Sequence, residues 1–336
     1  AASSAFLHHL VILVSSKRHE MMMKSSDLIA NPCPPGGTTY ALQTSDGFTL
    51  RAMHFVPTGM PRGTILIAAG RAETIEKYFE TIHELLARQL HVVAFDWRGQ
   101  GASARELQDR DKGHIADFAD YQRDLQAVIA HMLEPYAPKP WFALGHSMGG
   151  AILLAHVRES ETPFARLVLC APMIDLVLRF PRLARWTAFT LNALGLGRFY
   201  VPTGGRAHIA AKGFAGNPLT SDPTRFARLA CILARDPRLS LGDPTIGWVR
   251  AAFCLMDHFA NPHFAQSIRT PILIFAPQDD RVTDSFAAER FCAHLQMGQL
   301  VWIAGSRHEI LMEQDQIRAR FWADFDAFIP RRVDLR

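Results

Sequence analysis

The chain has 336 residues, 49% hydrophobic and 20% charged, with a formal net charge of +4. That is ordinary globular composition, sufficient for one large core or a core with an inserted subdomain, and it excludes a low-complexity chain. Its five cysteines (Cys33, Cys170, Cys231, Cys254, Cys292) are odd in number and scattered, with no C-x-x-C pair. This pattern argues against a disulfide framework or a zinc site and for a reducing compartment.

The first stretch, "FLHHLVILV", is apolar but too short to span a bilayer. It lacks the basic leader of a secretory signal, and Lys17-Arg18 follow it instead. Residues 1–36 are therefore expected to form an extension outside the fold. Residues 48–56 alternate like a strand, and "TILIAA" at 64–69 reads as a buried one. Apolar residues at helical spacing predict a helix over 74–89, followed by a buried strand, "HVVAFD", at 91–96. A helix is expected over 117–133, a strand at 141–145, a helix in "MGGAILLAHV" and a strand at 166–172. Continuous apolar strands alternating with helices indicate an α/β fold, a mostly parallel central sheet with helices on both faces.

The alternation stops at 173–257, a stretch rich in Pro, Gly, Arg and aromatics, and is expected to form a helical cap inserted in a core made of 37–172 and 258–336. Between 175 and 240 ten basic residues stand against three acids, a net +7 that leaves about −3 for the rest of the chain. Such a face is either a solvated helical surface or an attractor of anionic lipid or substrate. Strands then resume at 271–276 and 300–305, with helices near 283–295 and 313–328.

Chemistry concentrates in "GHSMG" at 145–149, a G-x-S-x-G with an apolar strand before it and an apolar helix after it. That context fits a sharp turn lifting the Ser147 hydroxyl off the sheet edge at the positive end of a helix. A serine hydroxyl is a weak nucleophile near neutral pH and needs a base. Candidates in the order serine, acid, histidine follow later strands: Asp279 or Asp280 in "PQDDRV", then His308 in "SRHEIL". An oxyanion hole needs two donors, and the amides of Met148 and Arg71 are the candidates. His146 is expected to pack in the turn, and His114 has no evident role. The Arg71 side chain is expected either to be held by Glu73 or to face the substrate and recognise a phosphate. No metal or cofactor is called for.

At these residues the sequence resembles the α/β-hydrolase family. Within it the monoacylglycerol lipase and lysophospholipase branch is similar, and bacterial inner-membrane lysophospholipases most of all. The resemblance runs from about residue 40 to 328 through "GRAETIEKYFE", "DWRGQGASAR", "GHIADFADYQRDL", "GHSMGGAI", "DRVTD" and "GSRHEILME". By position it implies Ser147 as nucleophile, His308 as base, Asp280 rather than Asp279 as the acid before Arg-Val, and Met148 and Arg71 as oxyanion donors. Two departures stand out. Ala69-Gly70 replaces the His-Gly of many relatives, which shifts weight from the monoacylglycerol branch, and Pro277 stands where a glycine is common.

The resemblance implies a serine esterase cleaving lipid-like carboxylic esters, lysophospholipid or monoacylglycerol. It would be cytoplasmic, with peripheral contact to the anionic inner membrane through the basic cap, and would have no nucleic-acid or obligate protein partner. The alternatives are an aminopeptidase, a lactonase or a related activity on the same residues, and a non-catalytic binding protein.

Overall fold

The computed structural model describes residues 12–14, 31–158, 162–208 and 213–330. Nine strands form one sheet: β1 Ile12–Val14, β2 Thr38–Gln43, β3 Thr49–Phe55, β4 Thr64–Ala68, β5 His91–Phe95, β6 Trp141–His146, β7 Phe164–Cys170, β8 Ile272–Pro277 and β9 Gly298–Ile303. Their order across the sheet is β1-β2-β3-β5-β4-β6-β7-β8-β9. The first three join antiparallel, and from β5 onwards every pairing is parallel.

β1 and β2 are additions to the sequence reading. The backbone of Ile12–Val14, within the expected extension, pairs with Thr39–Ala41 at the sheet edge. The rest of that extension up to residue 30 lies outside the described residues. Asn31 already packs onto the fold, its amide donating to the Glu76 carbonyl at 2.9 Å.

Parallel strands covered on both faces must be apolar at every position, and β4, β6 and β8 are buried throughout. Successive side chains serve opposite faces. Leu66 and Ala68 pack with the helices Ala119–Val128 (α2) and Met148–His156 (α3), whereas Ile65 and Ile67 pack with Phe79–Ala87 (α1) and Asp315–Phe328 (α8).

Between β7 and β8 lie three long helices, α4 Pro181–Leu191, α5 Pro223–Arg235 and α6 Ile246–Phe259; α7, Ser285–Cys292, follows β8. Leu219, Phe226, Leu229, Leu233 and Leu239 form a small core of their own here. Part of the excess positive charge of this insertion is spent on acids outside it. Arg225 meets Glu80 at 2.7 Å and Asp315 at 2.6 Å, Arg228 meets Glu80 at 2.5 Å, and Arg206 meets Asp109 at 3.0 Å. Arg185 pairs with Asp257. Three of the ten basic residues counted in the sequence thus fasten this insertion to the rest of the fold.

Candidate active site

β6 runs directly into Ser147, whose backbone sits at φ 50°, ψ −115°. A residue carrying a Cβ avoids positive φ, and holding one there costs about 1–3 kcal/mol. The turn is fixed from several sides: the Ser147 N–H donates to the Cys170 carbonyl at 3.0 Å, and the Ser147 carbonyl accepts from Met173 at 3.0 Å and Ala151 at 3.1 Å. The two motif glycines are sterically required. A Cβ at 149 would lie 2.1 Å from the Ala68 carbonyl oxygen, and one at 145 would lie 2.8 Å from the Gly150 Cα.

The loops after β8 and β9 bring Asp280 and His308 together, His308 Nδ1 lying 2.8 Å from Asp280 Oδ2. A carboxylate only accepts, so Nδ1 carries the proton and Nε2 of a neutral ring is left as the acceptor. The Asp280 carboxylate is itself oriented, accepting from the amides of Val282 at 2.7 Å and Thr283 at 3.1 Å and from the Thr283 hydroxyl at 2.8 Å. Burial opposes its charge, but His308 and these donors hold its carboxyl below the usual range. Asp279, the other candidate, is exposed, and its amide bonds the Ser306 carbonyl. Pro277, the unusual residue in this loop, ends β8 and accepts the Ser285 hydroxyl at 2.7 Å.

The loop after β4 is braced on both sides of Arg71. The Gly70 amide donates to Glu73 Oε2 at 2.5 Å, and the Ala72 amide donates to Gln100 Oε1 at 3.1 Å. Gln100 also donates to the Gly70 carbonyl at 2.8 Å, and Trp97 Nε1 to that of Ala69 at 2.8 Å. The phrase "DWRGQG" therefore serves as a buttress.

The Arg71 side chain is not held by Glu73. Glu73 is occupied: besides Gly70 it accepts from Lys77 Nζ at 2.5 Å, the Tyr78 hydroxyl at 2.6 Å and His146 Nδ1 at 2.9 Å. Arg71 instead reaches the cap. Its Nη2 donates to the Gly242 carbonyl at 2.6 Å, and its guanidinium lies 5.4 Å from the Trp248 ring centroid.

Lys77 continues from Glu73 to Glu309 at 2.7 Å, and His146 Nε2 lies 3.2 Å from the His308 carbonyl. Facing an acceptor on each side, His146 donates from both nitrogens and is an imidazolium. Burial works against that charge, but Glu73 raises its pKa. Glu73, Lys77, Glu309 and His146 thus form a buried, neutral quartet behind the site. Each anion counters burial with a cation, and Glu73 is held well below the usual carboxylate range by His146 and Lys77. The quartet joins the loop carrying Arg71, the residue before Ser147 and the residue after His308. Sequence reasoning placed His146 in the turn, as found, but missed the quartet. The signal available was a Glu and a Lys, at 73 and 77, opening an otherwise apolar helical pattern. His114, without a role in the sequence reading, bonds Thr245 Oγ1 at 2.9 Å at the start of α6.

Ser147, Met148, Arg71 and His308 line one cavity of about 230 Å³, walled by apolar cap residues such as Leu229, Leu241 and Trp248. Among the described residues no group of three or more His, Cys, Asp or Glu is arranged to hold a metal.

A serine on a strained strand-to-helix turn of a mostly parallel sheet, with a His–Asp pair on later loops, defines an α/β-hydrolase. Residues 59–315 match the family described as serine aminopeptidase, S33. The chain belongs to that family, in its lysophospholipase and monoacylglycerol lipase branch. It is 31% identical over 272 residues to lysophospholipase L2 of Escherichia coli K12, covering 76% of each chain. It is 34% identical over 133 residues to human monoglyceride lipase, covering 40% of this chain and 42% of that one. Among solved structures, a soluble variant of Saccharomyces cerevisiae monoglyceride lipase in complex with a substrate analog superposes with a TM-score of 0.68 at 21% identity, over 86% of this chain and 94% of that one. A Bacillus coagulans carboxyl esterase superposes with 0.71 at 19% identity, over 88% and 98%. These two likenesses concern the fold.

Proposed function

We propose that this enzyme hydrolyses the carboxylic ester of a lipid-like substrate, a lysophospholipid or monoacylglycerol, through an acyl-enzyme on Ser147. His308 Nε2 takes the serine proton as the hydroxyl attacks the ester carbonyl, then delivers it to the departing alcohol. Asp280 fixes the ring and stabilises its transient charge. The amides of Arg71 and Met148 receive the oxyanion. Water activated by His308 then releases the fatty acid. The observation that carries this reading is the 2.8 Å His308–Asp280 contact at a cavity shared with Ser147. The names of the relatives, lysophospholipase L2 and monoglyceride lipase, supply the substrate class.

In this reading 37–172 and 258–336 form the catalytic core and 173–257 a lid over it. The enzyme works in the cytoplasm, supported by its five free thiols, and touches the anionic face of the inner membrane through the cap. Phe180, Leu183 and Trp186 follow one another at helical spacing around α4 and are 60%, 59% and 66% exposed. Next to them in the chain, Arg179 and Arg182 have no carboxylate within 4.0 Å among the described residues. Among the described residues no helix is long and apolar enough to cross a membrane.

A fluorophosphonate probe should label Ser147, and Ser147→Ala should abolish both labelling and turnover of a panel of lysophospholipids, monoacylglycerols, short p-nitrophenyl esters and aminoacyl amides. Folded protein that does not label refutes the mechanism. Preference for the amides or short esters, with no lysolipid or monoacylglycerol turnover, refutes the substrate class. Equal binding to neutral and anionic vesicles refutes the membrane contact.

A further inference from the structure

Arg71, half-buried at the cavity wall, differs from the fully buried arginines among the described residues. The buried arginines Arg98, Arg225 and Arg318 each sit against at least two carboxylates: Asp46 and Asp124 for Arg98, Glu80 and Asp315 for Arg225, Glu80 and Glu84 for Arg318. Among the described residues Arg71 has none within 4.0 Å. Among them its guanidinium makes one hydrogen bond, from Nη2 to the Gly242 carbonyl, and its Nε is buried without an acceptor. Asp243 borders the same cavity, but its Oδ2 is turned to the Gly205 amide at 3.0 Å. Burial pushes the Arg71 pKa down to about 10, and Tyr121, Asp243 and Tyr200 offset this only in part. The other cation at this cavity, Lys77, is fully engaged by Glu73 and Glu309.

We propose that the Arg71 guanidinium is the subsite for an anionic group of the substrate, the phosphodiester of a lysophospholipid, and that it favours such esters over neutral monoacylglycerols. This rests on the proposed ester hydrolysis at Ser147. A bidentate guanidinium–phosphate contact would satisfy the buried Nε and supply the missing counter-ion in one step. The spacing suits it. In a 1-acyl lysophospholipid the scissile carbonyl carbon and the phosphorus are roughly six bonds apart, and so are the backbone nitrogen and guanidinium carbon of an arginine. One residue can therefore hold the oxyanion with its amide and the phosphate with its side chain. The Gly242 and Trp248 contacts keep that side chain extended towards the cap instead of folded onto Glu73.

The test compares kcat/KM for 1-acyl lysophosphatidylethanolamine and a 1-monoacylglycerol of the same acyl chain, in wild type, Arg71→Lys and Arg71→Gln. The lysophospholipid-to-monoacylglycerol ratio should fall about tenfold or more in Arg71→Gln and by less in Arg71→Lys. An equal loss on both substrates overturns the proposal and leaves Arg71 as a tie between loop and cap. A wild type that cleaves monoacylglycerol but not the lysophospholipid also overturns it while sparing the hydrolase mechanism; a wild type that cleaves neither removes the underlying substrate reading. Should Arg71→Gln not fold, protection of wild-type Ser147 from fluorophosphonate labelling decides. Glycerol 3-phosphate should protect at concentrations where glycerol does not, and equal protection by the two rejects the subsite.

Discussion

Replacing Glu73 by Gln keeps the shape of the side chain and removes one charge from the quartet behind the site. Glu73 accepts four bonds, two per oxygen: Lys77 and His146 on Oε1, Gly70 and Tyr78 on Oε2. A glutamine has one acceptor oxygen, so whichever way the amide turns, two donors face an NH2. The better orientation keeps Gly70 and Tyr78 satisfied and turns the NH2 towards Lys77 and His146. Lys77 then relies on Glu309 alone, and His146 gives up a proton to accept on Nδ1.

Two charge-assisted hydrogen bonds are lost, each worth about 1.5–3 kcal/mol, and the change of His146 to a neutral ring recovers part of that. A net destabilisation of about 3 kcal/mol follows. At about 2–4 °C per kcal/mol for a domain of this class, Tm should fall by about 6–12 °C. Because the quartet also positions His146, the residue before Ser147, kcat should fall by about tenfold or more with KM little changed. Thermal unfolding followed by circular dichroism, with acyl-ester kinetics on the same preparations, makes both measurements. A Glu73→Gln protein melting within about 1 °C of wild type would refute the assignment of the quartet as a buried ionic unit.

The two adjacent aspartates separate cleanly. Asp280→Asn should lower kcat by about 10⁴-fold by removing the acceptor that fixes the His308 tautomer, whereas the exposed Asp279→Asn should stay within about twofold; steady-state kinetics on one ester decides. The same variant carries a pH signature. Since the folded-state pKa of Asp280 lies below the usual 3.8, its contribution to stability is present above that value and is lost as pH falls through the depressed one. The stability gap between wild type and Asp280→Asn should narrow in denaturant titrations below about pH 4. Finally, Gly149→Ala pushes a methyl group to 2.1 Å from a backbone oxygen and should abolish activity or soluble expression, while Gly205→Ala, where nothing lies within 4 Å, should be harmless. A Gly149→Ala enzyme of normal activity would show that the turn has room.

Much of this was legible in the residues themselves. A strand buried on both faces is apolar along nearly its whole length, so β4, β5, β6 and β8 could be read within a residue or two. The turn at Ser147 announces itself because only glycine fits at 145 and 149. β2 went unread because "TTYALQ" is short and half-exposed and lacks the apolar run of the central strands. The helix expected from 74 opens instead as a tight turn over Ile75–Tyr78, because its start is bound to the sheet by an Asp96 carboxylate accepting the Ile75 amide at 3.1 Å. The pairing of Glu73 with Arg71 was the natural local guess for two neighbouring opposite charges. It failed because Glu73 has partners far along the chain, at Lys77, His146 and, through Lys77, Glu309, and no local pattern reveals them. Part of the positive excess at 175–240 misled for the same reason: the partners of Arg206, Arg225 and Arg228, namely Asp109, Glu80 and Asp315, lie outside the window being counted.

The quartet also bears on how the enzyme is made. His146 and the His308 carbonyl are separated by 162 positions, and Glu309 follows one residue later. While the chain is being synthesised, Glu73 and Lys77 can find each other early, but the second anion and the last loop arrive only when nearly all of the polypeptide has emerged. Contacts of such long sequence separation form late and slowly. His308, the proposed base, also lies beyond the final strand, so a chain truncated before that strand lacks both it and Glu309.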